Sequence, residues 1–260
     1  MGPAPQLALC VIVLVGVCQA QQLTKSAESP SPAVRVLWSA DHETGDSSQW
    51  YFPSTGPQGN FGGGEQNSGD ATVTPSRDFA HSGRWSLKMT ISTPSAAGTS
   101  GARMFRWAES QAHPALWYRV WYYFPQRYSV RSWWNVFQWK SKRVTGAVDP
   151  FFILNVGNRP DGSMFFYLYD WQQRTSRAQT LKNIPVGTWF SLEAFYRCAG
   201  DGTGQVTIWQ DDVLLFDVAN VRTRYPDGDC QWSVNNYSDS ITPKPATIYI
   251  DDAEILLKSD

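Results

Sequence analysis

The chain has 260 residues, 17% of them charged, and a formal net charge of −1. That balance excludes partners held by bulk charge, nucleic acid above all. Its 42% hydrophobic share, with 13 Trp, 11 Tyr and 13 Phe, fills a substantial core and leaves aromatic surface to spare.

The chain opens with MGPAPQLALCVIVLVGVCQA, which contains no Asp, Glu, Lys or Arg. Residues 7–18 are an apolar run too short to cross a bilayer comfortably, and small residues precede a cut after Ala20. Residues 1–20 are therefore expected to be a secretory signal peptide, although its start lacks the usual basic residue. A lipoprotein anchor at Cys18 is the alternative, against which stands the bulky Val17. The protein is expected to be secreted, extracellular or periplasmic. Residues 21–34, rich in Ser and Pro, are expected to be a flexible leader, and 35–260 a single domain acting as a monomer. No later stretch has the length and apolarity of a membrane span. Once Cys10 and Cys18 leave with the signal, Cys198 and Cys230 remain and are expected to pair as one disulfide. Neither lies in a C-x-x-C pair or near a histidine, so zinc is a poor reading.

Helical periodicity is nearly absent. Strands are expected at 34–40, 85–91, 102–107, 116–124, 134–140, 151–156, 163–171, 188–197, 204–211, 213–218 and 246–256. Turn signals such as GNRPDGS, AGDGTG and QDD separate several of them. This pattern predicts an all-β fold, a sandwich or a barrel. NFGGGEQNSGD (60–70) lacks the Lys-Ser/Thr of a phosphate loop and reads as a mobile loop at a groove's edge. NNYSDS (235–240) reads as a loop bringing Tyr237 over a groove, and Asn236-Tyr-Ser is a glycosylation sequon for a eukaryotic host.

Side chains alternate across a strand, so the runs also assign faces. In WNVFQWK, Val136, Gln138 and Lys140 share one side, and Phe137 and Trp139 the other. In SMFFYLYDW, Phe165, Tyr167, Tyr169 and Trp171 line up; Asn155 joins Phe151 and Ile153; Arg103 joins Phe105 and Trp107. Several strands thus carry a hydrogen-bonding residue among aromatics on one face and plain apolar residues on the other. Sugar rings stack on such aromatics, so the reading is a groove for a polysaccharide.

DHETGDSSQWY near the start, AHSGRWSLKM and ATIYIDDAEI resemble segments of the concanavalin-A-like jelly rolls, and LWYRVWYYFP…WWNVFQWK resembles the polysaccharide lyases related to heparin lyase I and glucuronan lyase. The resemblance covers most of the chain and implies a β-jelly-roll sandwich of two antiparallel sheets. It also implies a structural Ca²⁺ near Glu43, Asp251 and Asp252. Independently, a jelly roll sets its first and last strands side by side, and clustered carboxylates suit a hard cation. The bland reading is a solvated acidic strand end.

A lyase on a uronic-acid polymer must neutralise the substrate carboxylate, remove the C5 proton and protonate the leaving oxygen. Arg103, Gln138, Asn155 and Lys140 suit the first task; Tyr167, Tyr169, Tyr237, His81 and His113 suit the others. Trp134, Trp171, Tyr237 and Arg143 are expected to bind the chain. Residues 127–143 hold Arg127, Arg131, Lys140, Lys142 and Arg143 with no acid, a patch that steers an anionic polymer or merely solvates a loop. Related lyases often carry a histidine where Lys140 stands. Either Lys140 has a depressed pKa, or His81 or His113 supplies the base, or the machinery is incomplete. The rival of another class is a lectin-like binding protein with the same aromatic platform. A jelly-roll glycoside hydrolase is weaker, because no E-x-D-x-E strand is present and Glu193 has no acid two residues on.

Overall fold

The computed structural model describes residues 1–2, 34–51, 62–93 and 98–258; all but two residues of the expected signal peptide and almost all of the leader lie outside them. The strands are β1 (Val34–Ala40), β2 (Gly63–Ser68), β3 (Asp70–Ser76), β4 (Ser86–Thr93), β5 (Ser100–Arg106), β6 (Ala115–Tyr123), β7 (Ser129–Val130), β8 (Trp134–Arg143) and β9 (Val148–Asn158). They continue with β10 (Met164–Asp170), β11 (Thr175–Ala178), β12 (Trp189–Arg197), β13 (Gly204–Gln210), β14 (Val213–Val221), β15 (Gly228–Ser238), β16 (Ile241–Thr242) and β17 (Ala246–Lys258). One short helix, α1 (Ala108–Ala112), follows β5.

Two antiparallel sheets form a sandwich. The first runs β14-β13-β12-β6-β17-β4-β3, with β1 also on β17, so the first and last strands do pair. The second runs β11-β10-β9-β8-β15-β5-β2. The period-2 pattern explains the layering: in β6, Leu116, Tyr118, Val120 and Tyr122 are buried while Trp117, Arg119, Trp121 and Tyr123 keep an outer side. The QDD hairpin between β13 and β14 turns on Asp211 and Asp212, both at positive φ (44° and 63°), as a tight two-residue turn requires.

Between the sheets lie Trp50, Trp139, Trp232, Phe152 and Phe166, all essentially inaccessible. Trp139 stacks on Tyr196 across the core, centroids 4.4 Å apart. Each such ring contributes about 1.5–3 kcal/mol by leaving water. Cys198, just past β12, is bonded to Cys230 in β15, tying one sheet to the other.

Two elements differ from the sequence reading. Within the glycine-rich stretch, Gly63–Ser68 form β2, an edge strand, rather than a loop. NNYSDS is largely the end of β15, which lies inside the second sheet. Asn236 is fully buried; it accepts from Trp134 Nε1 (2.9 Å) and donates to the carbonyls of Met89 (3.0 Å) and Ala246 (2.9 Å). Its sequon is closed to glycosylation in the folded protein.

Candidate active site

The outer face of the second sheet carries a cleft of about 690 Å³, lined by strands from β2 across to β11. Strand register places its side chains in rows. One row reads Gly101, Tyr237, Asn135, Asn155, Tyr167 from β5 to β10. The next reads Ser233, Gln138, Ile153, Tyr169, Ser176 from β15 to β11. Lys140 stands two residues beyond Gln138, opposite Gln231 and Pro150. Adjacent strands are about 4.8 Å apart, so a seven-strand sheet offers a trough of about 29 Å.

Gln138, Lys140, Tyr167, Tyr169, Arg103, Asn155, Trp171 and Tyr237 all line this cleft. Among the described residues that line it there is no Asp or Glu. Gln138 and Asn155 are 3% and 4% exposed, at its floor. The Lys140 ammonium makes no hydrogen bond or ion pair to a described residue. Burial, reinforced by the Arg103 charge and opposed by Asp149, brings its pKa down from the ordinary 10.5 to about 7. Burial, then the charges of Asp239 and Tyr169, pushes the Tyr167 phenol above its usual range. Arg103 lies over the Tyr237 ring (5.3 Å), and Trp133 meets the same ring edge-on (4.8 Å). Tyr237 can rest there because its neighbour is Gly101: a Cβ at that position would stand 2.3 Å from the tyrosine ring.

Several expected site residues lie elsewhere. Trp134 is core, fully buried, and it is its neighbour Trp133 that joins Trp171 in lining the cleft. The register of β8 against β9 shifts between Asn135 and Phe137, a bulge that turns Val136 and Phe137 both inward and leaves Asn135 and Gln138 both outward. His81 sits on the first sheet, stacked on Trp121 (3.8 Å) with Nδ1 donating to Asp252 (2.6 Å). His113 caps α1, outside the cleft lining. Arg143 is spent on Asp227 (3.4 Å) and the Tyr225 ring (4.1 Å), and Lys142 lies over Trp107 (4.1 Å). Of the basic patch, only Lys140 lines the cleft. Glu193 is engaged by Arg119 (2.7 Å) and Lys258 (2.9 Å) on the first sheet.

The expected calcium ligands are held by protein donors. Glu43 Oε1 accepts the N–H groups of Arg84 and Trp85. Asp251 accepts from His42 Nδ1 and from the N–H groups of His81 and Ser82, and Asp252 from His81 and the Ser82 hydroxyl. Among the described residues no three or more of His, Cys, Asp and Glu converge to hold a metal. Carboxylates already engaged by N–H and O–H donors of the protein do not present the open oxygen set that a calcium site requires.

The sequence reading missed Asn135, Asn235 and Trp133. Asn135 is hidden by the bulge, and Asn235 by a polar run that looks like a turn.

A protein-family model described as polysaccharide lyase matches residues 42–254. The structure resembles an endo-β-1,4-glucuronan lyase from the fungus Trichoderma reesei, with TM-score 0.63 and 16% identity, covering 87% of this chain and 96% of that one. It also resembles the cellulose-induced protein Cip1 (TM-score 0.52, 15% identity, 84% and 95% covered) and the alginate lyase vAL-1 from a Chlorella virus (TM-score 0.50, 12% identity, 76% and 91% covered). No curated protein sequence matches the chain.

Proposed function

Because the chain belongs to the polysaccharide lyase family, we propose that its cleft cleaves an anionic, uronic-acid-containing polysaccharide by β-elimination, and that Lys140 is the base. The observation that carries this reading is the makeup of the cleft. It gathers unspent amide donors, two cations and tyrosines, and its described lining offers no carboxylate. A glycoside hydrolase needs two carboxyl groups across the bond it cuts.

The Gln138 amide and the Asn155 amide, neither fully hydrogen-bonded within the protein, donate to the substrate carboxylate, and Arg103 adds positive field. Charge that builds on that carboxylate as the C5–H bond breaks is thereby stabilised. Lys140, neutral in an appreciable fraction at pH 7, takes the C5 proton on Nζ. The electron pair becomes the C4–C5 double bond as the C4–O bond breaks. Tyr167, kept protonated by its surroundings, gives its proton to the leaving oxygen. The disulfide and the uncharged apolar start support action outside the cell. The glucuronan and alginate lyases named above make those two polymers the first substrates to try.

The test is ultraviolet absorbance of the unsaturated uronate, followed on purified protein with glucuronan, alginate, heparin-like and pectic chains. A rise on at least one polymer, lost in Lys140→Met, is expected. A flat trace on all of them, with the protein retained on a polysaccharide gel, would overturn the lyase reading in favour of a binding protein.

A further inference from the structure

Four polar side chains at the cleft floor form one chain of hydrogen bonds with a direction. Arg103 Nε donates to Asn235 Oδ1 at 2.8 Å. A guanidinium has donors and no acceptor, so the carbonyl end of Asn235 must face it. The amide nitrogen of Asn235 then donates to Asn135 Oδ1 (3.0 Å) and to Ser233 Oγ (3.1 Å). The amide nitrogen of Asn135 donates to Gln138 Oε1 (3.0 Å). What remains of Gln138 is Nε2, a donor, which makes no hydrogen bond to a described residue.

An unconstrained glutamine has two nearly isosteric orientations, one presenting N–H and the other a carbonyl. Here Asn135, Asn235 and Gln138 are 2%, 0% and 3% exposed. Reversing any one amide would set donor against donor or acceptor against acceptor out of reach of water, at a cost of about 1–3 kcal/mol. The one-way chemistry of the arginine thus propagates through two asparagines to the group that meets the substrate. A substrate carboxylate accepts a charge-assisted bond from that N–H, stronger than the bond a methyl ester would accept.

We propose that Arg103, acting through Asn235 and Asn135, fixes Gln138 as a donor toward the cleft and so makes the site select an ionised uronate over its methyl ester. Asn135 and Asn235 are positioning residues in this scheme, which rests on the uronate reading above. Asn235→Asp reverses the relay without changing its shape. The new carboxylate pairs with Arg103 and leaves no donor for Asn135, so both following amides turn and the Gln138 carbonyl faces the cleft.

The experiment measures binding calorimetrically in a Lys140→Met background, so that nothing is turned over. The probe is a β-1,4-glucuronate tetrasaccharide as free acid and as methyl ester. The unaltered relay is expected to favour the free acid about tenfold or more, and Asn235→Asp to erase or invert that ratio. An unchanged ratio overturns the relay. The effect must also vanish in a Gln138→Leu background; if it persists there, the added charge acts directly and the route through Gln138 is wrong. Should Asn235→Asp not fold, Asn235→Ala, which frees the amides instead of reversing them, is expected to bring the ratio toward one. Cleavage in the absorbance assay with an unchanged ratio leaves the lyase and sinks the relay. An inverted ratio without cleavage by the unaltered protein does the reverse, and no binding of either form ends both.

Discussion

Replacing Lys140 with Met removes the proposed base and also a half-buried cation, and the second effect has a size and a pH range of its own. Below about pH 7 the lysine is protonated in both the folded and the unfolded chain, and the folded state carries the whole cost of desolvating that charge. Between about 7 and 10.5 only the unfolded chain keeps the proton. The unfolded state then binds more protons, so stability rises with pH across that window. Above 10.5 both forms are neutral and the cost is gone. The difference, 10.5 − 7, is about 3.5 units, and at about 1.36 kcal/mol each that is about 5 kcal/mol. Solvent at the open side of the cleft brings the expected figure to about 3–5 kcal/mol. Urea unfolding of the two proteins at pH 6 and pH 10 isolates it, because every other group titrates alike in both. The advantage of Lys140→Met over the native protein should shrink by that amount on going to pH 10. Parallel stability curves would show that the ammonium is not held out of water, and Lys140 would lose its claim to be the base.

The same residue gives a kinetic prediction: kcat/KM should rise with pH through about 7, Lys140→Arg should be inactive at every pH, and Lys140→His should recover activity with the limb shifted lower. A Lys140→Arg protein with native activity would exclude lysine as the base. The neighbouring tryptophans should separate cleanly. Trp134→Ala is expected to cost about 3–5 kcal/mol in thermal unfolding, whereas Trp133→Ala should raise KM and leave stability within about 1 kcal/mol. Reducing the Cys198–Cys230 bond, which closes a separation of 32 residues, should cost about 3–4 kcal/mol, read as a lowered Tm with dithiothreitol present.

Much of the fold is legible because apolar residues in strands such as β6, β10 and β12 keep period two. β10 reads directly: Phe166 and Leu168 inward, Tyr167 and Tyr169 outward, as alternation assigns. β1 and the hairpin at Asp211–Asp212 are equally plain, the one from its aliphatic run and the other from its turn residues. β15 is not. Its Ser233, Asn235, Asn236 and Ser238 are types that favour turns, since their side chains satisfy backbone groups locally. In the folded chain those side chains are spent on partners far away in sequence: Asn236 on Met89 and Trp134, Asn235 on Arg103 and Asn135. A polar strand can lie in the middle of a sheet once each amide has a partner, and the sequence alone does not display those partners.

The same logic explains why the candidate site is only half visible before folding. Alternation alone puts Gln138 and Lys140 on one face, and that relation survives because the register shift between Trp139 and Lys140 places its extra residue, Phe151, on β9 and leaves β8 itself regular. It fails for Trp134 and Asn135, one bulge away. That bulge has a consequence for chemistry: it is what brings Asn135 to the same side as Gln138, three residues on, close enough for their amides to bond at 3.0 Å. In an unbroken strand those two positions would face opposite sides of the sheet. β15 has its own shift between Val234 and Tyr237, opposite the bulge of β8, and there Asn235 meets Asn135. The irregular pairing in the centre of the second sheet therefore serves the relay. A change that restored regular pairing there, at little cost to the core, would be expected to separate Asn135 from Gln138 and release the glutamine to present either end to the substrate.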